Sequence, residues 1–359
     1  MSVISTGQTV AALKKGSSWG TEADITSGGM FFKASSISPS GGFADFIPRD
    51  FGTAGKRTSQ ARLQGDFTCK IVTDLTYGQP WLALLAGHLG TESTPAEQTP
   101  SQTDYLVTMD LADDVFGTYW TLVYTIETDR VIVLPSLKII GVTIEVAPNQ
   151  AGTVTFDAIM DTIAESSANT AAEINAITAL NYETATLGGT NHYFRSNVDT
   201  GAGLSSGDDK AIAGFTMSLT RTHKTRFGLR GANTKYTMEP KQVGDIEGTV
   251  TITHSELDNA TYDMWTEWAS VPYRKAELFM DGSIIGSTVN RSFKWQFPYL
   301  QSVGALPGGH DIPNNNSLFN PSITYRMLKR SAAPTGMTGV TDYLRFTEIH
   351  PTRSTKWTA

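Results

Sequence analysis

The side chains best suited to chemistry are six histidines, one cysteine and a scatter of charges. His88, His192, His223, His254, His310 and His350 lie far apart, with no His-Glu-x-x-His motif and no His-x-His pair to present two imidazoles to one metal ion. Such spacing points to structural or surface roles. Cys69 is the only cysteine, which excludes an intramolecular disulfide and any multi-cysteine metal centre. It falls on the apolar side of an alternating segment, where a thiol acts as a small buried hydrophobe rather than a nucleophile. Gly41-Gly42 and Gly308-Gly309 fit neither a phosphate loop nor a dinucleotide fingerprint and read as turn glycines. There is no Gly-x-Ser-x-Gly elbow. The expectation is a non-enzymatic protein with no cofactor and no metal.

Charge offers a second kind of chemistry. The segment THKTRFGLRG (222–231) carries Lys224, Arg226 and Arg230, while DLADD (110–114) carries Asp110, Asp113 and Asp114. They read either as two solvated loops, since exposed pairs contribute little, or as loops on opposite faces of an assembly that align successive units. A loop over 39–62, with Arg49, Lys56, Arg57 and Arg62, fits the second idea. Across the chain 28 Lys and Arg stand against 35 Asp and Glu, a net charge of −7 spread evenly. A nucleic-acid grip needs clustered cations facing phosphates; an evenly acidic surface lets DNA pass.

These residues must be positioned by strands. Charged residues make up only 18 %, below the usual quarter, and Thr, Ser and 33 Gly are scattered throughout, which suits strands and tight turns. At 359 residues the chain has room for two domains, and it repeats itself. LQGDFTCKIVTDLTYGQPWLALLAG (63–87) lies over IEGTVTITHSELDNATYDMWTEWAS (246–270) at an offset of 183, Leu63 onto Ile246. Both open with period-two alternation, the pattern of a half-buried antiparallel strand. The polar faces are Gln64, Asp66, Thr68 and Lys70 in one copy and Glu247, Thr249, Thr251 and Thr253 in the other. The spacing of Trp81, Leu82, Leu84 and Leu85, and of Tyr262, Trp265 and Trp268, then fits a short helix.

The offset extends outward. MFFKASSIS (30–38) matches AGFTMSLTR (213–221), TYWTLVYTI (118–126) matches KAELFMDGS (275–283), LPSLK (134–138) matches FPYLQ (297–301), and TVTFDAIMD (153–161) matches SITYRMLKR (322–330). Each half thus reads strand, long loop, strand, helix and three strands. The predicted organisation is a first domain with an amino-terminal arm over 1–165, a linker with a short helix over 166–204, a second domain over 205–330 and a carboxyl-terminal arm over 331–359. No secretory signal is visible, and the apolar windows 81–87 and 131–146 are too short or too interrupted to span a bilayer. A soluble protein made in a cytoplasm is expected.

Three stretches carry a family resemblance: AALKKGSSWGTEADI near the amino terminus, IEGTVTITHSELDNATYDMWTEWASVPYRKAELFMDG, and LPSLKIIGVTIEVAPNQAGTVTFDAIMD with its counterpart from FPYLQ to SITYRML. Over roughly 5–165 and 205–330 the chain resembles the major tail tube proteins of long, flexible-tailed bacteriophages. The resemblance implies a mainly β fold of two tandem tail-tube sandwich- or barrel-like domains, each with a short flanking helix. It also implies a virion structural protein, assembled in the host bacterial cytoplasm, whose rings stack head to tail into a channel for the genome. Most members carry one such domain and form hexameric rings, so a duplicated chain implies a trimer with pseudo-sixfold symmetry. Implied partners are further copies, a tape-measure protein, tail tip and terminator proteins, and double-stranded DNA in passage without specific binding; no membrane is implied. The polar faces above then become candidates for the channel wall, against the alternative of an ordinary solvent-facing sheet. The competing function is a two-domain carbohydrate- or ligand-binding module, with Trp120, Trp295 and Trp357 as its exposed aromatics.

Overall fold

The computed structural model describes residues 9–46, 61–100, 104–126, 130–177, 183–186, 191–230, 234–254, 270–285, 289–303, 322–351 and 353–358. The first half contains β1 (Thr9–Lys15), β2 (Met30–Ala34), β3 (Ser36–Phe46), β4 (Ala61–Asp74), β5 (Thr76–Tyr77), α1 (Trp81–Leu89), β6 (Gly90–Glu92), β7 (Ala96–Glu97), β8 (Asp104–Leu111), β9 (Trp120–Ile126), β10 (Arg130–Val146) and β11 (Thr153–Met160). After these come β12 (Ala164–Glu165), α2 (Ala171–Ala176), β13 (Glu183–Thr184) and β14 (Tyr193–Val198). The second half contains β15 (Ile212–Arg230), β16 (Thr234–His254), β17 (Tyr273–Ile285), β18 (Val289–Val303), β19 (Ser322–Met327) and β20 (Arg345–Pro351). The protein is mainly β and sandwich-like.

Pairing follows one plan in both halves. The first runs β3-β4-β11-β10-β9-β1, the second β15-β16-β19-β18-β17-β14, antiparallel at every step. Residues 141–146 of β10 also pair with 215–220 of β15, Thr143 facing Ser218. This seam joins the halves into an eight-stranded ladder, β3-β4-β11-β10-β15-β16-β19-β18. β10 serves two sheets because it bends at Pro135-Ser136, where Ser136 adopts φ 57° and the register with β9 shifts. The Ser136 hydroxyl fixes the bend by accepting the Gly20 amide at 2.6 Å.

The alternation of β4 and β16 buries Phe67, Cys69, Ile71, Val250 and Ile252 on one face, as their sequence pattern requires. α1 is apolar all round, so it sits inside the protein rather than upon it. Its Trp81 meets the rings of Phe293 and Phe346 at 5.6 and 6.4 Å, and Tyr77 stacks on Phe293 at 4.4 Å. A single apolar cluster therefore spans both halves. Each large side chain buried there contributes about 1.5–3 kcal/mol.

Several sequence expectations need correction. MFFKA is β2, an edge strand on β1; the strand that matches β15 in the pairing plan is β3. Gly41-Gly42 lies inside β3, at a register shift, and not in a turn. A Cβ on Gly41 would come within 2.7 Å of the Asp66 carbonyl oxygen, so the close approach demands glycine. The basic loop of 222–231 is the end of β15, paired back onto β16 as a long two-stranded ribbon. Much of the loop at 39–62 is likewise strand: 39–46 belong to β3 and 61–62 to β4. Residues 166–204 are more than a linker, since β14 completes the second sheet, although α2 does form the expected short helix behind a Thr170–Glu173 capping box. The carboxyl-terminal segment, expected as an arm packed on a neighbouring element, supplies β20, a full strand between β8 and β18. The pairing also resets the repeat register. Ile71 faces Phe156, Val250 faces Tyr325, and matching these puts Ile71 on Val250, an offset of 179. The difference of four from 183 is even, so each residue keeps its face. The second-copy helix at 262–268 lies outside the described residues.

Candidate functional site

All but one of the side chains singled out on the repeated strands share a single surface. Across the ladder, the face opposite the core is built of Ser38 and Ser40 (β3), Asp66, Thr68 and Lys70 (β4), Thr155 and Asp157 (β11), Thr143 and Glu145 (β10), Ser218 and Thr220 (β15), Glu247, Thr249, Thr251 and Thr253 (β16), Thr324 and Arg326 (β19), and Gln301 (β18). The Gln64 side chain lies outside the described residues. Asp66, Thr68, Lys70 and Glu247 are exposed, and Thr249, Thr251 and Thr253 are half-buried by their neighbours. Hydroxyls link adjacent strands: Thr253 and Ser322 lie 2.7 Å apart, Thr251 and Thr324 3.0 Å, and Thr143 and Ser218 3.5 Å across the seam. With Asp74 on the same face, the described charges are Asp66, Asp74, Glu145, Asp157 and Glu247 against Lys70 and Arg326. Among the described side chains this excess of acid over base disfavours a grip on a phosphate backbone.

The basic and acidic segments are neighbours. Asp113 and Asp114 line the same depression, of about 420 Å³, as Lys241–Asp245 of β16. The expectation of opposite faces is therefore overturned. Their charges are also answered inside the chain: Arg345 binds Asp110 through two nitrogens at 2.7 and 3.0 Å, Lys329 binds Asp113 at 2.9 Å, and the Asp114 carboxylate accepts the Phe116 amide at 3.0 Å. Arg226 donates to the Glu239 carbonyl oxygen at 3.2 Å, and Lys224 is exposed. Arg230 ends β15, its side chain beyond the described set, and Arg49, Lys56 and Arg57 lie outside the described residues.

What fastens the ribbon are buried cations that sequence reasoning passed over. Arg221, fully buried, donates to the His88, Leu89 and Ala112 carbonyl oxygens at 2.9, 3.2 and 2.7 Å, and to Gln242 at 3.1 Å. The first two are carbonyls at the negative end of α1, of which Leu89 also accepts the Ala112 amide at 2.7 Å, so this cation caps the helix. Burial lowers the guanidinium to about 10, against the pull of Asp114 and Asp113, and it stays charged at neutral pH. Lys138 meets Glu239 of the ribbon at 2.5 Å and the Val115 carbonyl oxygen at 2.6 Å. Arg221 was detectable, because it continues the inward register of Phe215, Met217 and Leu219.

The remaining candidates are structural. Cys69 is buried and its thiol is pushed up to about 12 by desolvation. His88 and His254 are buried and lowered to about 3 and about 4 by desolvation, so both stay neutral. The His192 ring lies 2.7 Å from the Asp281 carbonyl oxygen, His223 is half-buried beside the Arg221 carbonyl, and His350 lies edge-on to Trp357 at 5.7 Å. His310 lies outside the described residues. Trp120, Trp295 and Trp357 are 1, 0 and 2 % exposed, which removes the aromatic platform of the carbohydrate reading.

At the carboxyl-terminal end, Glu92 accepts the Trp357 and Thr358 amides at 2.5 and 2.9 Å, and Trp357 Nε1 lies 3.4 Å from Glu348. Glu348 is completely buried, and desolvation, with Glu92 nearby, raises its carboxyl to about 8. The folded protein thus holds a proton that an unfolded chain releases near 4.5. Stability from this group is complete below about pH 4.5 and is lost as pH rises toward 8. Glu348→Gln, which mimics the protonated acid, is expected to stabilise the protein by about 2 kcal/mol at pH 8 and negligibly at pH 4.5. Melting curves across that range check it; a variant less stable at both ends refutes the assignment.

Among the described residues no helix is long and apolar enough to cross a membrane, and no three His, Cys, Asp or Glu side chains gather as metal ligands. No family model matches the chain, and no curated protein matches its sequence.

Proposed function

We propose that the chain is a non-enzymatic structural protein, a tandem duplication of a tail-tube domain, and that three copies close into a ring whose stacking builds the tail tube of a long-tailed bacteriophage. Its place would be the virion tail, with the tape-measure, tip and terminator proteins as partners. The observation that carries this reading is the seam. Within one chain the second repeat joins the first through β10 and the edge of β15, while the corresponding edge of β3 has β4 as its only partner among the described residues. An open sheet edge attracts another strand. The same joint, repeated between chains, would use it.

Three ladders of eight strands give a barrel of 24, and at strand spacings near 4.8 Å and a tilt near 40° its backbone diameter is about 50 Å. The Ser- and Thr-rich face would line the channel, mildly acidic and without clustered cations, so that DNA slides. The ribbon, anchored by Arg221 and Lys138, would sit at the end of the barrel. Pro39 on the β3 edge lacks an N–H and withholds one donor from the joint.

The register of the seam between chains follows from the one within. Ser38 faces Lys70 as Ser218 faces Thr249, and Val303 faces Thr324 as Thr143 faces Thr155. Ser38 of one copy should therefore oppose Val303 of the next, as Ser218 opposes Thr143. A Ser38→Cys/Val303→Cys variant is expected to yield covalent dimers and trimers on oxidation, and concentrated protein should show rings or tubes in negative stain. Rings without cross-links would sink the register. Discrete monomers at every concentration would sink the tube reading.

A further inference from the structure

A cavity of about 510 Å³ opens between the end of β1 and the carboxyl-terminal segment. Its lining includes Lys14, Lys15, Arg353 and Lys356, and no carboxylate among the described residues. Four cations around one concavity are a strong local excess in a chain of net charge −7. Trp120 and Trp357 also border it, but at 1 and 2 % exposure they present almost no surface, and the volume falls within the range of small-molecule sites.

The cations are held in place. Lys14 donates to the Asp24 carbonyl oxygen at 2.6 Å, and Lys15 donates to that of Thr358. Arg353 lies 3.4 Å over the Trp357 ring and donates to the Lys356 carbonyl oxygen at 2.6 Å. Its Nε, buried from solvent, has no acceptor among the described residues. Glu92 and Glu348 temper the Arg353 charge, but they stand outside the lining and already receive the amides and indole N–H of the terminal segment. Lys14 and Lys15 donate to carbonyl oxygens, and the Asp24 carboxylate, outside the lining, tempers the charge of Lys14.

We infer that this cavity binds a small anion, with a carboxylate or phosphoryl group held by the lysines. The site is independent of ring formation, so it can be tested on the unassembled chain at low salt. Titration calorimetry with inorganic phosphate, citrate and 1-naphthyl phosphate separates the contributions. One phosphate is expected per chain, and 1-naphthyl phosphate should bind no more than about tenfold more tightly, because the tryptophans of the lining offer its ring almost no surface. Citrate binding as tightly would assign the carboxylate class. Lys14→Gln with Lys356→Gln should weaken each probe at least about tenfold, as lost charge-assisted bonds require, while Lys241→Gln, in the other depression, should change nothing. Melting curves check that the variants fold, and Lys356→Glu alone serves if the double variant does not. Failure of every probe to saturate, or unchanged affinity in the lysine variants, overturns the inference.

Discussion

Deleting residues 343–359 is expected to abolish cooperative folding of the whole chain, not to trim an appendage. β20 lies between β8 of the first half and β18 of the second, so its loss opens two ladders at once. The deletion also removes Leu344, Phe346 and Trp357 from the core, all at most 2 % exposed. Truncating one buried Phe or Trp costs about 3–5 kcal/mol, and a typical domain has only about 5–15 kcal/mol to lose. Near-ultraviolet circular dichroism should lose its aromatic signal and thermal melting its sharp transition. A truncated chain that still melts cooperatively within a few degrees of the parent would show that the halves fold independently.

Arg221→Met is expected to be the most damaging single substitution at the base of the ribbon. Methionine fills much of the same space but donates nothing, stranding the His88 and Ala112 carbonyls, while Leu89 keeps the Ala112 amide at 2.7 Å. Each stranded buried carbonyl costs about 1–3 kcal/mol, so a loss on the order of 4 kcal/mol follows, or about 5 °C in the melting temperature of a cooperative unit this long. Arg221→Lys should recover little, because one ammonium group cannot span three carbonyls and Gln242. A fall of less than about 3 °C for Arg221→Met would remove this residue from the role of helix cap and ribbon anchor.

Where one face of a strand is buried and the other wet, the amino-acid order shows it. The alternation through Phe67, Cys69 and Ile71, and through Val250 and Ile252, marked β4 and β16, and the apolar run from Trp81 marked α1. The ribbon left no such trace, because THKTRFGLRG belongs to a two-stranded extension with no sheet beyond it to impose period-two burial. β3 was hidden by Pro39 and Gly41-Gly42, residues that usually signal turns and here serve an edge strand and a tight crossing. The register of the repeat was misplaced by four residues for a similar reason: alternation preserves face at any even shift, and only pairing selects among them. As for the candidate surface, the sequence named its rows of hydroxyl and acid residues on β4 and β16. That both rows lie on one ladder depends on the contact between Thr143 and Ser218, residues 75 positions apart, and no local pattern encodes it.

The seam has a further consequence for the proposed ring. Joining two separate molecules costs roughly 4–15 kcal/mol in lost translational and rotational freedom, whereas the β10–β15 joint forms as the chain folds, between segments already tethered to each other. A ring of three duplicated chains thus needs two such joinings before it closes on itself, where six single-domain chains would need five. Its critical concentration for assembly should lie correspondingly lower, and the two repeats, no longer required to be identical, are free to diverge on the outer surface while keeping the inner wall continuous.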